Sequence, residues 1–382
     1  MVHTGSGLDR KASMRILCVG RRLTGGGAER AQLNFLNELA RRGAAYEAIY
    51  LKSGGALAES VTQPEKLSFI TGPDASLWPR LPQILRVLWN AARRADVVFA
   101  MQEGTPIYLA AIAARLAGKP CVAWNHGLLE DAFFGWHKMV MPVLYRLPHT
   151  FICITEAQAN QWSKVIPAVK ARSRVVQVPV EIARIRSMAE RSPTVGDSEG
   201  TTLTVLGYGR LAYQKRFDLL IRAAAVLRER RQDFAVTILG SGPEEQMLRQ
   251  LTNELGLNSV VTFVPFDPNP FSHVARSDVV VVPSRWENFG TVASEALALG
   301  KPVVATTSWT AFPEVLGSDS DGLGIITEDT PEALAEGINT ALNMPEDGEV
   351  ISRRKRRAEC FDTGIITDRI LDVLRSVTTT AR

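Results

Sequence analysis

The sequence predicts an α/β protein of two doubly wound parallel sheets, and three observations carry that prediction. A chain of 382 residues with average globular composition, 46% hydrophobic and 22% charged, is too long for one ordinary core, so two domains are expected. Short β-rich runs without polar alternation recur along the chain, the pattern of strands covered on both faces. The stretches between them, such as RFDLLIRAAAVLRERR at 216–231, have helical periodicity and supply crossovers.

In the first half the strand-like runs are RILCVG, YEAIYL, LSFI, DVVFAM, PCVAW, FICIT and RVVQVP. In the second they are TLTVLGYG, FAVTILG, VVTFV, DVVVVPS, KPVVAT and GLGIIT. The opening MVHTGSGLDRKAS is polar and lacks the apolar stretch of a signal peptide, so residues 1–13 read as a disordered leader, with Met14 as a natural start. A first Rossmann-like domain is expected over 14–185. The segment EIARIRSMAERSPTVGDSEG ends polar and rich in Ser, Gly and Pro, placing a hinge between about 181 and 200. A second Rossmann-like domain follows over 200–352, and 353–382 is expected to form a C-terminal helix packing back toward the first domain. Ligands of doubly wound sheets bind at the carboxyl ends of strands, so two such domains face to face predict a site in the cleft between them. The basic run RRKRR at 353–357 fits a nucleic-acid patch or a solvated helix face; it leads straight into an apolar helical pattern, which favours the helix face.

Composition narrows the function. No apolar run approaches the length that spans a bilayer. Cys18, Cys121, Cys153 and Cys360 lie far apart, the first three in apolar runs, and read as buried thiols of a reduced, cytoplasmic protein. The net charge of +4 hides an asymmetry: residues 1–180 carry 22 Lys+Arg against 12 Asp+Glu, and the remainder 22 against 28. A basic first half fits a membrane surface, a phosphorylated acceptor or nucleic acid, and equally a surface charge without a partner.

Glycine loops follow several strands. RILCVG runs through RRLT into GGGAERAQLNFLNELARRG, where a helix beginning near Gly27 leaves the amides around Gly26 and Gly27 open to an anion. LGYGR and LGSGPEE each hold a GxG, the second including Gly242, and neither continues into a dinucleotide fingerprint. Arg210 and Lys215 flank the loop after TLTVLGYG and can clamp a diphosphate, Arg through paired hydrogen bonds and Lys as a point charge; two solvated charges before a helix are the alternative. In PSRWENFGTVASEALALGK a helix is expected from Gly290 or Thr291 to Gly300. Glu287 then sits in the loop and Glu295 one turn inside the helix, with the amides of Asn288, Phe289, Gly290 and Thr291 between them. The capping-box position holds Ser294, so capping does not account for Glu295. Acid, anion site, acid is the order of polar groups in a nucleotide sugar: hexose hydroxyls, diphosphate, ribose diol. Carboxylates take two hydroxyl donors each from such diols.

PSRWENFGTVASEALALGKPVVAT closely resembles the signature of the family 4 retaining glycosyltransferases, which have the GT-B fold. The GGGAER loop, WNHG at 124–127, GRLAYQKRFDLLI, LGSGPEE, the two-glutamate block and FPEVL at 312–316 fall in that family's order. The resemblance implies that Glu287 binds the donor hexose and Glu295 the ribose. It implies that Arg210 and Lys215 hold the diphosphate, with amides near Gly27 and at Phe289 to Thr291, and that His126 is the active-site histidine near the transferred sugar. It further implies transfer with retention by same-face attack, with a donor phosphate oxygen taking the acceptor's proton. On that reading there is no protein nucleophile, no cofactor and no metal. Asp319 and Asp321 in GSDSDG form a DxD only within a Gly/Ser turn.

By analogy with relatives carrying GGAER-like loops, the expected donor is a UDP-hexose or UDP-N-acetylhexosamine. A GDP-mannose-dependent mannosyltransferase and an inactive nucleotide-sugar-binding partner subunit are the alternatives; a nucleic-acid partner is not expected, since interleaved aromatics and a known module are lacking. The stretch DAFFGWHKMVMPVLYRLPH at 131–149 mixes aromatics, Met and basic residues. It fits a membrane interface, or a core or lid helix over the acceptor pocket. The expected acceptor is a glycan or lipid-linked molecule, met by a cytoplasmic enzyme peripheral on an anionic membrane.

Overall fold

A computed structural model describes residues 14–127, 137–191, 202–307, 311–317 and 322–380. The leader 1–13, residues 131–136 of the aromatic stretch, the linker residues 192–200 and the Asp319 and Asp321 turn lie outside the described residues. Each of the thirteen apolar runs contains a strand. They are β1 (Ile16–Gly20), β2 (Tyr46–Lys52), β3 (Leu67–Thr71), β4 (Val97–Ala100), β5 (Cys121–Asn125), β6 (Thr150–Cys153) and β7 (Ser173–Val175), then β8 (Leu203–Tyr208), β9 (Phe234–Leu239), β10 (Val261–Val264), β11 (Val279–Val282), β12 (Val303–Thr306) and β13 (Gly324–Thr327).

All pairings are parallel. The first sheet has the order β3-β2-β1-β4-β5-β6-β7 and the second β10-β9-β8-β11-β12-β13. In the first, Ile16 is in register with both Tyr46 and Val97; in the second, Val205 pairs with Val236 on one side and Val279 on the other. β1, β4, β5 and β11 are buried throughout because crossover helices cover both faces, which explains their uninterrupted apolar sequence. Coverage fails at the edge strand β3, where Ser68 and Phe69 are exposed, so the two-faced expectation holds only away from the edges. RVVQVP also yields less strand than expected, since β7 ends at Val175.

The chain divides into two units, residues up to Val176 together with those from Thr367, and Gln177 to Ile366. The division falls ahead of the expected hinge. Val180 bridges to Asp362 and the helix Ile182–Glu190 packs on Phe271–Arg276, so residues 177–190 go with the second unit. In the first unit one face of the sheet is sealed by Leu17, Val98 and Phe151 with Trp162, and Phe35, Phe99 and Trp124 pack ring to ring. The second unit's core is built around Val205, Phe217, Leu220, Val236 and Val281. Helix starts carry their own caps: Thr155 accepts from the Gln158 amide at 3.1 Å, Thr330 from Ala333 at 3.2 Å, and Asp347 from Val350 at 2.8 Å.

Two surface expectations are corrected. RRKRR is a solvated face only in part: Arg356 is exposed, but Arg354, in the helix Gly348–Glu359, is fully buried, donating to the carbonyls of Gly300 and Gly322 at 3.1 Å and to Glu346 at 2.6 Å. Arg357 donates to the Val315 carbonyl at 2.9 Å and lies over the Phe361 ring. The charged run therefore pins a helix whose neighbours present uncapped carbonyls. Cys18, Cys121 and Cys153 are buried and burial raises all three thiols, Cys121 and Cys153 to about 12, whereas Cys360 is exposed. No helix of the described residues is long and apolar enough to cross a membrane.

Candidate functional site

In the second sheet the strand order reverses between β8 and β11. Loops leaving these neighbours diverge, which opens a crevice at their carboxyl ends, the place where doubly wound sheets take ligands. Arg210 and Lys215 lie in the loop after β8, and Glu287 in the loop after β11. The two loops are stitched together, since the Arg285 amide donates to the Gln214 carbonyl at 2.8 Å and the Gln214 side chain to the Trp286 carbonyl at 2.9 Å. The Lys215 ammonium pairs with the Glu287 carboxylate, whose Oε1 also accepts the Ser284 hydroxyl at 2.8 Å. Ser284 is fixed in turn by Thr306, which donates to its carbonyl at 2.9 Å. Next to Lys215, Arg216 adopts φ of 50°, costly for a residue with a Cβ, and is held there by pairing with Asp329. Arg210 is exposed and has no side-chain partner among the described residues.

The glycines around β8 and β9 explain how the loops come so close. Gly240 has φ of 146°, and a Cβ there would lie 1.9 Å from the Gly209 carbonyl oxygen; one at Gly242 would lie 2.2 Å from that of Leu211. The Leu211 amide donates to Ser241 and the Glu244 amide to Leu211, both at 3.0 Å. Gly242 thus lets its loop cross the backbone beside Arg210.

The helix after Glu287 spans Thr291–Ala298, within the expected span, and Gly290 precedes it with φ of 76° against the Phe312 ring. Phe289 is buried edge-on against Phe361 at 5.2 Å, which anchors the turn. Among the described residues the amides of Asn288, Phe289, Gly290 and Thr291 donate to no backbone carbonyl, and the Asn288 side-chain oxygen is buried without a partner. They form the open end of a helix dipole. Glu295 accepts the Tyr208 hydroxyl at 2.7 Å. Burial, reinforced by Glu295, holds Tyr208 well above the usual phenol range, so it remains a donor. Ser294 donates to the Thr291 carbonyl at 2.8 Å, which leaves Glu295 out of the cap.

The remaining predicted residues belong to the first unit. Gly27 begins the helix Gly27–Arg41 and Gly26 is its N-cap; Gly25 and Gly27 have open space where a Cβ would stand. His126 follows β5, buried, its ring 4.2 Å from that of Trp124 and hydrogen-bonded to the Met101 carbonyl, with Nε2 unpartnered. Burial lowers its pKa to about 3, so the ring is neutral and its free nitrogen is an acceptor. The His126 amide donates to Glu103 at 3.2 Å, and burial raises the Glu103 carboxyl.

Sequence reasoning missed Ser284, Tyr208, Gln214 and Glu103. Tyr208 is hidden in an apolar strand run, and Ser284 and Gln214 carry no spacing that marks them. Glu103 did carry a signal, an acid and a glycine one residue beyond the run DVVFAM. Among the described residues no three His, Cys, Asp or Glu side chains converge as metal ligands would.

Comparison with known proteins adds family and fold. Residues 190–358 match the profile of Glycosyl transferases group 1, and residues 25–184 that of Glycosyltransferase Family 4. A lipopolysaccharide core biosynthesis glycosyltransferase, LpsD of Rhizobium meliloti, is 27% identical over 92% of this chain and 95% of its own length. An N-acetylgalactosamine-N,N'-diacetylbacillosaminyl-diphospho-undecaprenol 4-alpha-N-acetylgalactosaminyltransferase of Campylobacter jejuni is 33% identical over 41% of this chain and 42% of its own. The crystal structure of Anabaena HepE in complex with UDP superposes with a TM-score of 0.81 at 23% identity, covering 95% of this chain and all of that one.

Proposed function

The chain belongs to glycosyltransferase family 4, with two Rossmann-like units of the GT-B fold, and from that premise we propose that it moves a hexose or N-acetylhexosamine from a UDP-sugar to a glycan or lipid-linked acceptor, with retention. The observation that carries this reading is the polar order at the β8/β11 crevice. Lys215 paired with Glu287 stands at one end, the open amides of Asn288 to Thr291 in the middle, and Glu295 held by Tyr208 at the other. The diphosphate meets Arg210, Lys215 and those amides, the ribose diol meets Glu295, and the hexose meets Glu287.

The Lys215–Glu287 pair gives the site a coupled response. When a diphosphate draws Lys215 away, Glu287 is released to accept sugar hydroxyls, so one binding event prepares the next. In transfer, the acceptor oxygen bonds to the anomeric carbon while the bond from that carbon to the diphosphate oxygen breaks. The acceptor's proton passes to the departing phosphate oxygen, and the growing negative charge is met by Arg210, Lys215 and the helix amides, without a protein nucleophile or a metal. The first unit's His126, kept neutral, offers a hydroxyl acceptor and not a charge.

Further support for the donor and acceptor classes comes from the UDP bound by HepE and from the acceptor named for the Campylobacter relative. A peripheral place on a cytoplasmic anionic membrane is part of the proposal, motivated by the basic first half, and absence of binding to anionic liposomes at low salt would remove it. The test of the donor is a thermal-shift panel of UDP, GDP, UDP-sugars and GDP-mannose in EDTA. Stabilisation by the UDP series alone is expected. Stabilisation by the GDP series alone would replace the proposal with a mannosyltransferase, and binding without turnover on any acceptor tried would favour an inactive partner subunit.

A further inference from the structure

The first sheet has its own reversal of strand order, between β1 and β4. At the carboxyl ends of these strands lies a cavity of about 680 Å³. One wall is cationic. Arg21 follows β1 and Lys52 ends β2, and they are direct neighbours, since the Lys52 amide donates to the Arg21 carbonyl at 2.9 Å. The Gln102 side chain accepts the Arg21 amide at 3.1 Å and so fixes the backbone that carries the guanidinium. Neither the Arg21 nor the Lys52 side chain has a hydrogen-bond or ion-pair partner among the described residues. The acid on the same wall, Glu103, is already engaged by the His126 amide. Two cations therefore face the cavity against one acid that is turned to the protein's own backbone.

The opposite wall is apolar. Trp78 and Leu81 come from the chain after β3, and Val140 and Leu144 from the helix His137–Leu144. Trp78 stands 58% exposed and adds a large apolar surface to this wall. On the same helix Met141 is buried in the core, which holds Val140 and Leu144 toward the cavity, while Met139 and Val143 are exposed beside it. Within its described part, the aromatic stretch is anchored in the core and also presents apolar surface outward.

We propose that this cavity is the acceptor site and that the acceptor is an amphiphile bearing a phosphate or diphosphate, the anion held by Arg21 and Lys52 and the apolar part lying along Trp78, Leu81, Val140 and Leu144. The inference rests on the glycosyltransferase reading for the word acceptor, and on the cavity alone for the ligand chemistry. Two adjacent unpaired cations call for an anion, and charge-assisted hydrogen bonds from Arg and Lys suit a phosphate. An apolar wall ending in an exposed Trp calls for a hydrocarbon continuous with that anion, which a free sugar phosphate does not supply.

The test is calorimetric titration of the full chain with octyl phosphate, octanol and inorganic phosphate, each below micelle formation. Octyl phosphate is expected to bind at least about tenfold more tightly than either half-ligand. The Arg21→Ala/Lys52→Ala double variant is expected to reduce it to the level of octanol, and Trp78→Ala toward the level of inorganic phosphate. All three positions are solvent-accessible, so the variants should fold, and unchanged UDP-induced thermal stabilisation in each confirms it. Octyl phosphate binding no tighter than inorganic phosphate, no tighter than octanol, or indifferent to these variants overturns the proposal. If octyl phosphate behaves as expected while no nucleotide stabilises the protein, the donor reading fails and the amphiphile site stands.

Discussion

Glu287 and Glu295 are eight positions apart in sequence but are held by different partners, and that separates their expected roles. Glu287 neutralises Lys215, so Glu287→Gln leaves a diphosphate clamp with more net positive charge and removes a hydroxyl acceptor. UDP affinity should stay unchanged or tighten a few-fold while turnover falls by about 10- to 100-fold, the scale of a hydrogen bond to a charged group. Glu295→Ala should instead weaken UDP itself by about tenfold or more. Titration with UDP beside steady-state kinetics decides this, and equal loss of UDP affinity in both variants would sink the division. His126 yields a second prediction. Its folded pKa, near 3, lies below the ordinary value of 6.5, so between those values the unfolded chain binds the extra proton and stability falls as pH falls. From pH 7 to pH 5 this group should cost about 2 kcal/mol. His126→Asn should lose that slope in urea unfolding while the Glu103 contribution, present in both proteins, cancels. Parallel curves would mean that the ring ionises freely. At this scale the acids and cations were legible because loops after apolar runs are where chemistry collects. Their partners Ser284 and Tyr208 were not, because a hydroxyl inside an ordinary run has no signature until the fold brings it near.

At the scale of elements, runs rich in Val, Ile and Leu marked the strands, and in central strands such as β4 and β11 they are uninterrupted because burial on two faces leaves no room for polar alternation. What they did not reveal is order: the edge position of β3 and the early end of β7 follow from neighbours, not from local sequence. The glycine loops divide in the same way. Gly25, Gly26 and Gly27 look essential in sequence, yet Gly27 has open space, so Gly27→Ala should fold at least as well as the parent and test ligand approach alone. The GxG of LGSGPEE looks incidental, yet Gly240→Ala meets the Gly209 carbonyl from a backbone that L-residues avoid. We expect a loss of at least about 3 kcal/mol and weaker UDP binding, because the displaced loop carries Arg210 and Lys215. Unfolding midpoints near the parent's for Gly240→Ala would show that the two loops can separate at little cost.

At the scale of the whole molecule, the two sheets repeat one arrangement, and each reversal of strand order gathers the unpaired or exchangeable charges of its unit: Arg21 and Lys52 in the first, Arg210 and Lys215 in the second. That repetition was legible from the twice-written alternation of strand and helix. A C-terminal helix over 353–382 returning toward the first unit was expected; where it changes units was not legible, because apolar periodicity tells that a helix has a buried face without telling what it covers. The helix Thr363–Thr380 starts within the second unit, but from Thr367 onward it belongs to the first, where Asp368 pairs with Arg42. Ile370 and Leu374 are fully buried along it. Leu374→Ala should therefore remove about 2 to 4 kcal/mol, the usual cost of a cavity left by a buried leucine, from the unit built at the other end of the chain. Hydrogen exchange reads the two units separately. Amides of β1 and β2 should lose protection, while those of β8 and β9, and the stabilisation of the protein by UDP, should hold. Equal loss in both sheets would mean that the helix serves the second unit as much as the first, and loss confined to β8 and β9 would reverse the assignment.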